Sequence, residues 1–209
     1  MFDKKQYGVF LIIAGFLVLT ILLAALWIRR ENQLALEPDD DEEDGVTDVI
    51  TLEEFGDYQS SQCRQLHPTL KELKRQYGSD LNFVFHNLPL IDVNKNSLMP
   101  AQAAEAARMQ GRFWEMHDRL FETQDLWKDD ADPKPKFLKL AADLGLEQTR
   151  FATDMDSEQV RFRIEADRDN ALSKGITTTP VIIIDGRQLK PETTTPEGVK
   201  EGLDLMFSK

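Results

Sequence analysis

Hydrophobic and polar positions along the chain follow two regimes. Residues 8–28 contain no charge, and only Gly8, Gly15 and Thr20 among them lie outside the hydrophobic class. From Val46 onward, apolar residues instead recur at short periods that predict alternating strands and helices. Residues 46–58 mix Val, Ile, Thr, Phe and Tyr with acids, which predicts a strand running into a loop. Ser60 and Ser61 are helix-starting residues, and Leu66, Leu70 and Leu73 recur at helical spacing within 63–77, where Gly78 is the stop. Pro68 lies inside that helix and should bend it, because its ring removes a backbone donor. Residues 81–90 predict a second strand, with Leu81, Phe83 and Phe85 alternating.

A long helical stretch comes next. Residues 101–110 are alanine-rich, and 112–124 place Phe113, Trp114, Met116, Leu120 and Phe121 largely on one face, the pattern of a helix turned toward a core. Residues 129–136 predict a proline-containing loop. Further helices are predicted at 137–144, 147–155 and 157–174, with Gly175 as the last stop. The chain returns to a strand at 181–185, turns at Gly186-Arg187, forms a short edge strand at 188–190 and ends in a helix at 196–207. The order is β-α-β, a helical block, then β-β-α, with no internal repeat. The unbroken apolar run Val181 to Ile184 predicts a strand buried on both faces, so helices should cover both sides of the sheet.

Twenty-one residues at about 1.5 Å rise reach roughly 31 Å, the depth of a bilayer core. Segment 8–28 is therefore expected to be a transmembrane helix in contact with lipid, with Tyr7 and Trp27 near its two ends at headgroup level. It exceeds the usual apolar core of a cleaved leader, and no small-x-small site follows it. Residues 1–7 form a short tail. Lys4 and Lys5 precede the span and Arg29 and Arg30 follow it, so the positive-inside count does not orient it. Residues 29–45 are expected to be an acidic linker. Glu37 and the run Asp39-Asp40-Asp41-Glu42-Glu43-Asp44 repel one another and favour an extended tether, or an acidic strip for a basic partner. The soluble domain then occupies 46–209.

The net charge is −12, from 25 basic against 37 acidic residues. A nucleic-acid binder needs a basic face to displace counterions from phosphates, so that class is excluded. A single cysteine, Cys63, rules out an internal disulfide framework, a four-cysteine zinc site and a dithiol cycle within one chain. His67, His86 and His117 lie far apart in sequence and without metal-ligand spacing, so no metal or other cofactor is expected.

Two segments carry the candidate chemistry. Phe55-Gly56-Asp57-Tyr58-Gln59-Ser60-Ser61-Gln62-Cys63 is a strand, a turn and a helix start, with the thiol in the first helical turn. There it should feel the positive end of the helix dipole and unpaired backbone donors, both of which favour thiolate. Thr177-Thr178-Thr179-Pro180-Val181 puts a proline immediately before a buried strand, where it must take the first strand position or a tight turn, with a cis bond expected.

These segments resemble the DsbA-like branch of the thioredoxin superfamily, whose usual pattern is a strand, F-x-D-(F/Y)-x, then C-x-x-C, then a helix containing H-P. The resemblance starts at FGDYQSSQCRQLHPTLKEL and continues through QGRFWEMHDRLFETQ, LAADLGL and GITTTPVIIIDGR. It implies a thioredoxin-like α/β fold over 46–209 with a helical insertion at about 91–175. It also implies an extracytoplasmic, periplasmic setting, substrates that are thiols or disulfides of exported proteins, and a membrane redox partner. In the family pattern Cys63 holds the second, resolving position and Ser60 the first, attacking one. Ser61 and Gln62 lie between them, and Thr179 and Pro180 hold the substrate strand.

Ser60 excludes ordinary dithiol turnover, since a hydroxyl neither ionises usefully near neutral pH nor exchanges with disulfides. Three readings follow. Ser60 is an introduced replacement in a C-S-Q-C oxidoreductase; or Cys63 works alone as a monothiol; or the fold serves as a redox-silent peptide-binding, chaperone-like module that pairs extended chains with Thr179. Ser60 also suits a plain N-cap, and Cys63 a small buried hydrophobe. Asp57 and Glu54 stand where proton shuttles could act, and also read as ordinary strand-end carboxylates. His67, four residues after Cys63, shares its helix face and could favour a thiolate, or could simply pack. Phe113, Trp114, Met116 and His117 read as helical core.

Overall fold

A computed structural model describes residues 49–208; the expected N-terminal tail, transmembrane segment and acidic linker lie outside the described residues. Four strands form one sheet in the order β2-β1-β3-β4. Strand β1 (Ile50–Gly56) is followed by helix α1 (Ser61–Tyr77), a short 3-10 turn at Gly78–Asp80, and β2 (Leu81–Asn87). β1 and β2 pair in parallel, from Ile50 opposite Leu81 to Gly56 opposite Asn87. Six helices then intervene: α2 (Leu98–Arg108), α3 (Phe113–Glu122), α4 (Gln124–Trp127), α5 (Lys134–Asp143), α6 (Gln148–Met155) and α7 (Glu158–Ser173). Strand β3 (Val181–Ile184) lies antiparallel to β1, β4 (Arg187–Gln188) antiparallel to β3, and α8 (Pro196–Phe207) closes the chain.

The apolar run in β3 is buried at all four positions. Alternation sends Ile182 and Ile184 to one face, where they pack with Leu52, with Leu66, Leu70 and Leu73 of α1 and with Val199 and Leu203 of α8. Val181 and Ile183 go to the opposite face with Phe55, Leu88, Ala171 and Ile176. Helices thus cover both sides of the sheet, as the unbroken run required. A third core lies within the helical block, where Phe113, Met116, Leu120, Phe121, Trp127 and Phe137 pack with Tyr58, Cys63 and Phe85.

Several helix ends differ from the sequence expectation. Helix α2 begins at Leu98 rather than Ala101, because Pro100 in a first turn needs no backbone donor. Helix α5 likewise starts at Lys134 with Pro135 in its first turn, shortening the expected loop. The single helix expected over 112–124 is interrupted at Thr123, whose hydroxyl donates to the Arg119 carbonyl at 2.6 Å. Helix α1 continues through Pro68 to Tyr77.

The insertion is tied to the sheet through His86 on β2. Its Nδ1 lies 3.0 Å from Asp167 Oδ1 on α7 and its Nε2 2.9 Å from Glu53 Oε2 on β1. Asp167 also accepts from the Asn87 amide at 2.9 Å, and Phe55 stacks on the imidazole at 4.5 Å. Burial pulls the His86 pKa down, but the hydrogen bonds to Asp167 and Glu53 more than offset it, so the ring titrates above 6.5. The contribution of a raised group is complete below the unfolded value and is lost as pH rises through the folded one. His86→Gln should therefore destabilise the domain more at pH 6 than at pH 8 in urea denaturation. An equal loss at both would mean that the ring stays neutral throughout.

Candidate functional site

The site forms where β1 ends. Gly56 is required there by space, since a Cβ would stand 2.4 Å from Phe85 Cε2 and 3.2 Å from Glu54 Oε1. The following turn is organised by Asp57. Its carboxylate accepts from the Gln59 amide at 2.8 Å, the Leu90 amide at 3.1 Å and Asn94 Nδ2 at 2.8 Å, while its carbonyl accepts from the Ser60 amide at 3.0 Å. Burial pushes the Asp57 pKa up despite these bonds. With its oxygens engaged by the loop after β2, Asp57 is a clamp on the turn; the alternative of a proton shuttle does not fit. Gln59 extends the clamp, accepting from the Asn96 amide and donating to the Lys128 carbonyl, each at 2.7 Å.

Ser60 is the N-cap of α1, and its Oγ accepts from the Cys63 amide at 3.3 Å. Gln124, which sequence reasoning did not single out, donates from Nε2 to the carbonyls of Tyr58 (2.7 Å) and Ser60 (3.0 Å). No local pattern marks it; only the fold brings α4 to this turn. Trp127 is fully buried beneath, with Nε1 donating to the Leu120 carbonyl.

Cys63 is fully buried. Its thiol pKa is pushed up to about 12, first by burial and then by the Glu54 charge, against smaller opposing contributions from the polar groups of Ser60, the Asp57 backbone and Thr179. The thiolate expected from the helix terminus is thus corrected: loss of solvation outweighs the dipole, which acts mainly through exposed amides and is worth about 0.3–1 kcal/mol. Glu54 is the other unusual group. It is 1 % exposed, its Oε1 has no hydrogen-bond partner, and burial raises its pKa from 4.5 to about 8. At neutral pH it is therefore mostly an uncharged acid beside an uncharged thiol.

Thr179 and Pro180 are joined by a cis peptide bond. The Thr179 hydroxyl is buried near the thiol yet makes no hydrogen bond of ordinary geometry. Outside them opens a groove of about 450 Å³, lined by Gln62, Gln65 and Leu66 of α1, by Thr178 to Val181, and by Gln188 of β4 with Leu189 after it. The structure thus brings together Ser60, Cys63, Thr179, Pro180 and Gln62. Ser61 is exposed and is not among the groove-lining residues.

His67 does not serve the thiol. Its Nε2 faces Asp118 Oδ1 at 3.4 Å, and its ring stacks on Phe121 and meets His117 edge-on at 5.3 Å. Histidines that lie apart in sequence are thus paired in space. Phe113, Met116 and His117 are buried, in keeping with the core reading of that stripe, and Lys74 Nζ sits 3.3 Å above the partly buried Trp114 ring.

A family model described as Thioredoxin matches residues 49–204. Among solved structures, the chain resembles oxidised BdbD from Bacillus subtilis, with a TM-score of 0.67 at 22% identity over 80% of this chain and 91% of that one. The oxidoreductase DsbA from Xylella fastidiosa gives 0.63 at 20% identity, over 77% and 86%. Curated relatives include the Na(+)/H(+) antiporter NhaA 3 of Salinispora tropica, 36% identical over 73% of this chain and 23% of its own length. The Na(+)/H(+) antiporter NhaA of Herminiimonas arsenicoxydans is 30% identical over 87% and 29%. The chain spans less than a third of these relatives.

Glu54 supplies a test of how the site is built. Its raised value means that its favourable share of stability is present below pH 4.5 and is lost as pH rises through about 8. Glu54→Gln should remove that loss, so the variant gains on the parent by up to about 4 kcal/mol between pH 5 and 9. Denaturant titration across that range reads the slope, and parallel curves would mean that Glu54 is solvated.

Proposed function

The chain belongs to the thioredoxin family and has the fold of the DsbA-type oxidoreductases, and from this premise and its site we propose a membrane-tethered domain that holds exported polypeptides in extended form beside Pro180 without turning over disulfides itself. The observation that carries the proposal is the state of the one thiol. Cys63 is fully buried, with a pKa near 12, and the residue at the attacking position is a serine engaged as a helix cap. Disulfide exchange needs an accessible thiolate, and neither group offers one. The monothiol reading loses ground for the same reason.

The groove supports the binding half of the proposal. Its lining combines the Thr179–Pro180 segment with the side-chain amides of Gln62, Gln65 and Gln188, groups that suit a polypeptide backbone as donors and acceptors. Segment 8–28 would supply the anchor and the acidic linker the reach, with the domain on the extracytoplasmic side. The names of the relatives agree with this setting, since an Na(+)/H(+) antiporter works at a membrane. The partners of the domain are then exported proteins bearing thiols or disulfides.

Glu54 favours a second reading, an oxidoreductase disabled only at Ser60. A buried carboxyl whose pKa lies near 8 loses its proton readily just above neutral pH, and in that ionised form it can take the proton of the Cys63 thiol in a resolving step, a role for which a pure binding module has no use.

Two measurements separate these readings. Fluorescent extended peptides should bind the Cys63→Ala protein within about twofold of the parent, since no bond to sulfur is involved. No binding by either protein, or binding lost with the thiol, would overturn the holding function. Ser60→Cys should, under the second reading, restore exchange. The new thiolate attacks a substrate disulfide and releases one sulfur, and Cys63 then displaces the other, leaving a 60–63 disulfide and a reduced substrate. A Ser60→Cys protein that never oxidises would show a scaffold altered beyond its first cysteine.

A further inference from the structure

Away from the groove, helices α1 and α3 bring two imidazoles and a carboxylate to one point. His67 comes from α1, and His117 and Asp118 from α3; one potential ligand atom of each lies within 4.8 Å of the other two. Among the described residues this is the one such group of three. We propose that His67, His117 and Asp118 form a transition-metal site selective for Zn²⁺ or a similar borderline cation, which pins α1 to the helical insertion.

The first support is an unmet need. His67 is 95 % buried, and its Nε2 has no hydrogen-bond partner; Asp118 Oδ1 stands 3.4 Å away and does not satisfy it. A buried nitrogen left this way bears the full cost of its lost hydration, and a cation between it and the carboxylate would engage both. The second support is the layer behind the ligands. Tyr58 Oη lies 3.0 Å from His117 Nδ1, which fixes the ring and leaves Nε2 as the ligand atom. Lys71 Nζ holds Asp118 Oδ2 at 2.9 Å, leaving Oδ1 turned toward His67. Phe121 stacks on His67 at 5.0 Å, and Phe85 meets His117 edge-on at 4.7 Å, so neither ring is free to swing away.

The donor set determines the class of ion. Two imidazoles and one carboxylate suit Zn²⁺, Co²⁺ or Cu²⁺, whereas Ca²⁺ and Mg²⁺ require six or more oxygens. Asp118 is about a quarter exposed, so a fourth position would open to water on that side. Lys71 opposes a second cation, but it is half exposed and also bonds Glu122 at 2.9 Å, a partner it keeps if Asp118 turns to a metal.

The test uses the full chain in mild detergent, titrated with Zn²⁺ alone. Saturating Zn²⁺ should raise Tm by about 5 °C or more, and Co²⁺ should give the visible absorption of a four-coordinate nitrogen and oxygen site. Asp118→Asn and His67→Gln, each checked for native circular dichroism, should weaken binding by at least about 100-fold. Tyr58→Phe should weaken it by about 10–100-fold through loss of the orienting hydroxyl, and His86→Gln should leave it unchanged. Asp118→Asn lies at the surface and guards against loss of fold in the buried variant. No shift in the parent protein at millimolar Zn²⁺ would overturn the proposal. So would a shift that survives both ligand substitutions, which would place the ion on the acidic run at 39–44 or around His86.

Discussion

The Asp57 carboxylate is the constraint from which the site follows. By accepting from the loop after β2 and from the turn it belongs to, it forces the chain leaving β1 into one short path. That path places Ser60 at the cap of α1 and thereby puts Cys63 in the helix's first turn, packed with Tyr58 and near Glu54. Burial of the thiol is therefore a consequence of the turn. A longer or looser connection would have lifted the first helical turn toward solvent, where a helix terminus can stabilise a thiolate.

The same desolvation acts on three groups with different outcomes. Cys63 keeps its proton, Glu54 is held as an acid near neutral pH, and His117 is held well below its ordinary value. His86 goes the other way because two carboxylates reach it. The contrast shows that partners, more than depth, decide which buried groups in this domain are charged. It also explains why a cysteine at a helix start, where the dipole favours a thiolate, keeps its proton here.

Much of the architecture was legible in the sequence. The run Val181 to Ile184 implied a two-sided sheet, Ser60 its helix start and Pro196 the beginning of the last helix. Leucines at helical spacing in α1 identified the face that packs on that sheet. What escaped were features set by distant chain segments. Thr123 breaks a stretch, 112–124, that contains neither Gly nor Pro, and prolines that look like loop residues open α2 and α5. Gln124 has no local signature as the support of the turn before α1. His67 and His117 are fifty residues apart, and no spacing rule joins them until α1 and α3 cross. The buried state of Cys63 was named as one alternative, yet local dipole reasoning could not weigh it against a neighbour such as Glu54.

One more consequence follows from the edge of the sheet. Strand β4 has two residues, both exposed, one of them Arg187. An edge of that length offers too few unpaired backbone groups to template a continuous ladder with a second molecule. On that side of the sheet, edge-to-edge pairing with a second copy is thereby blocked, and only the opposite edge, β2, is long enough to template it.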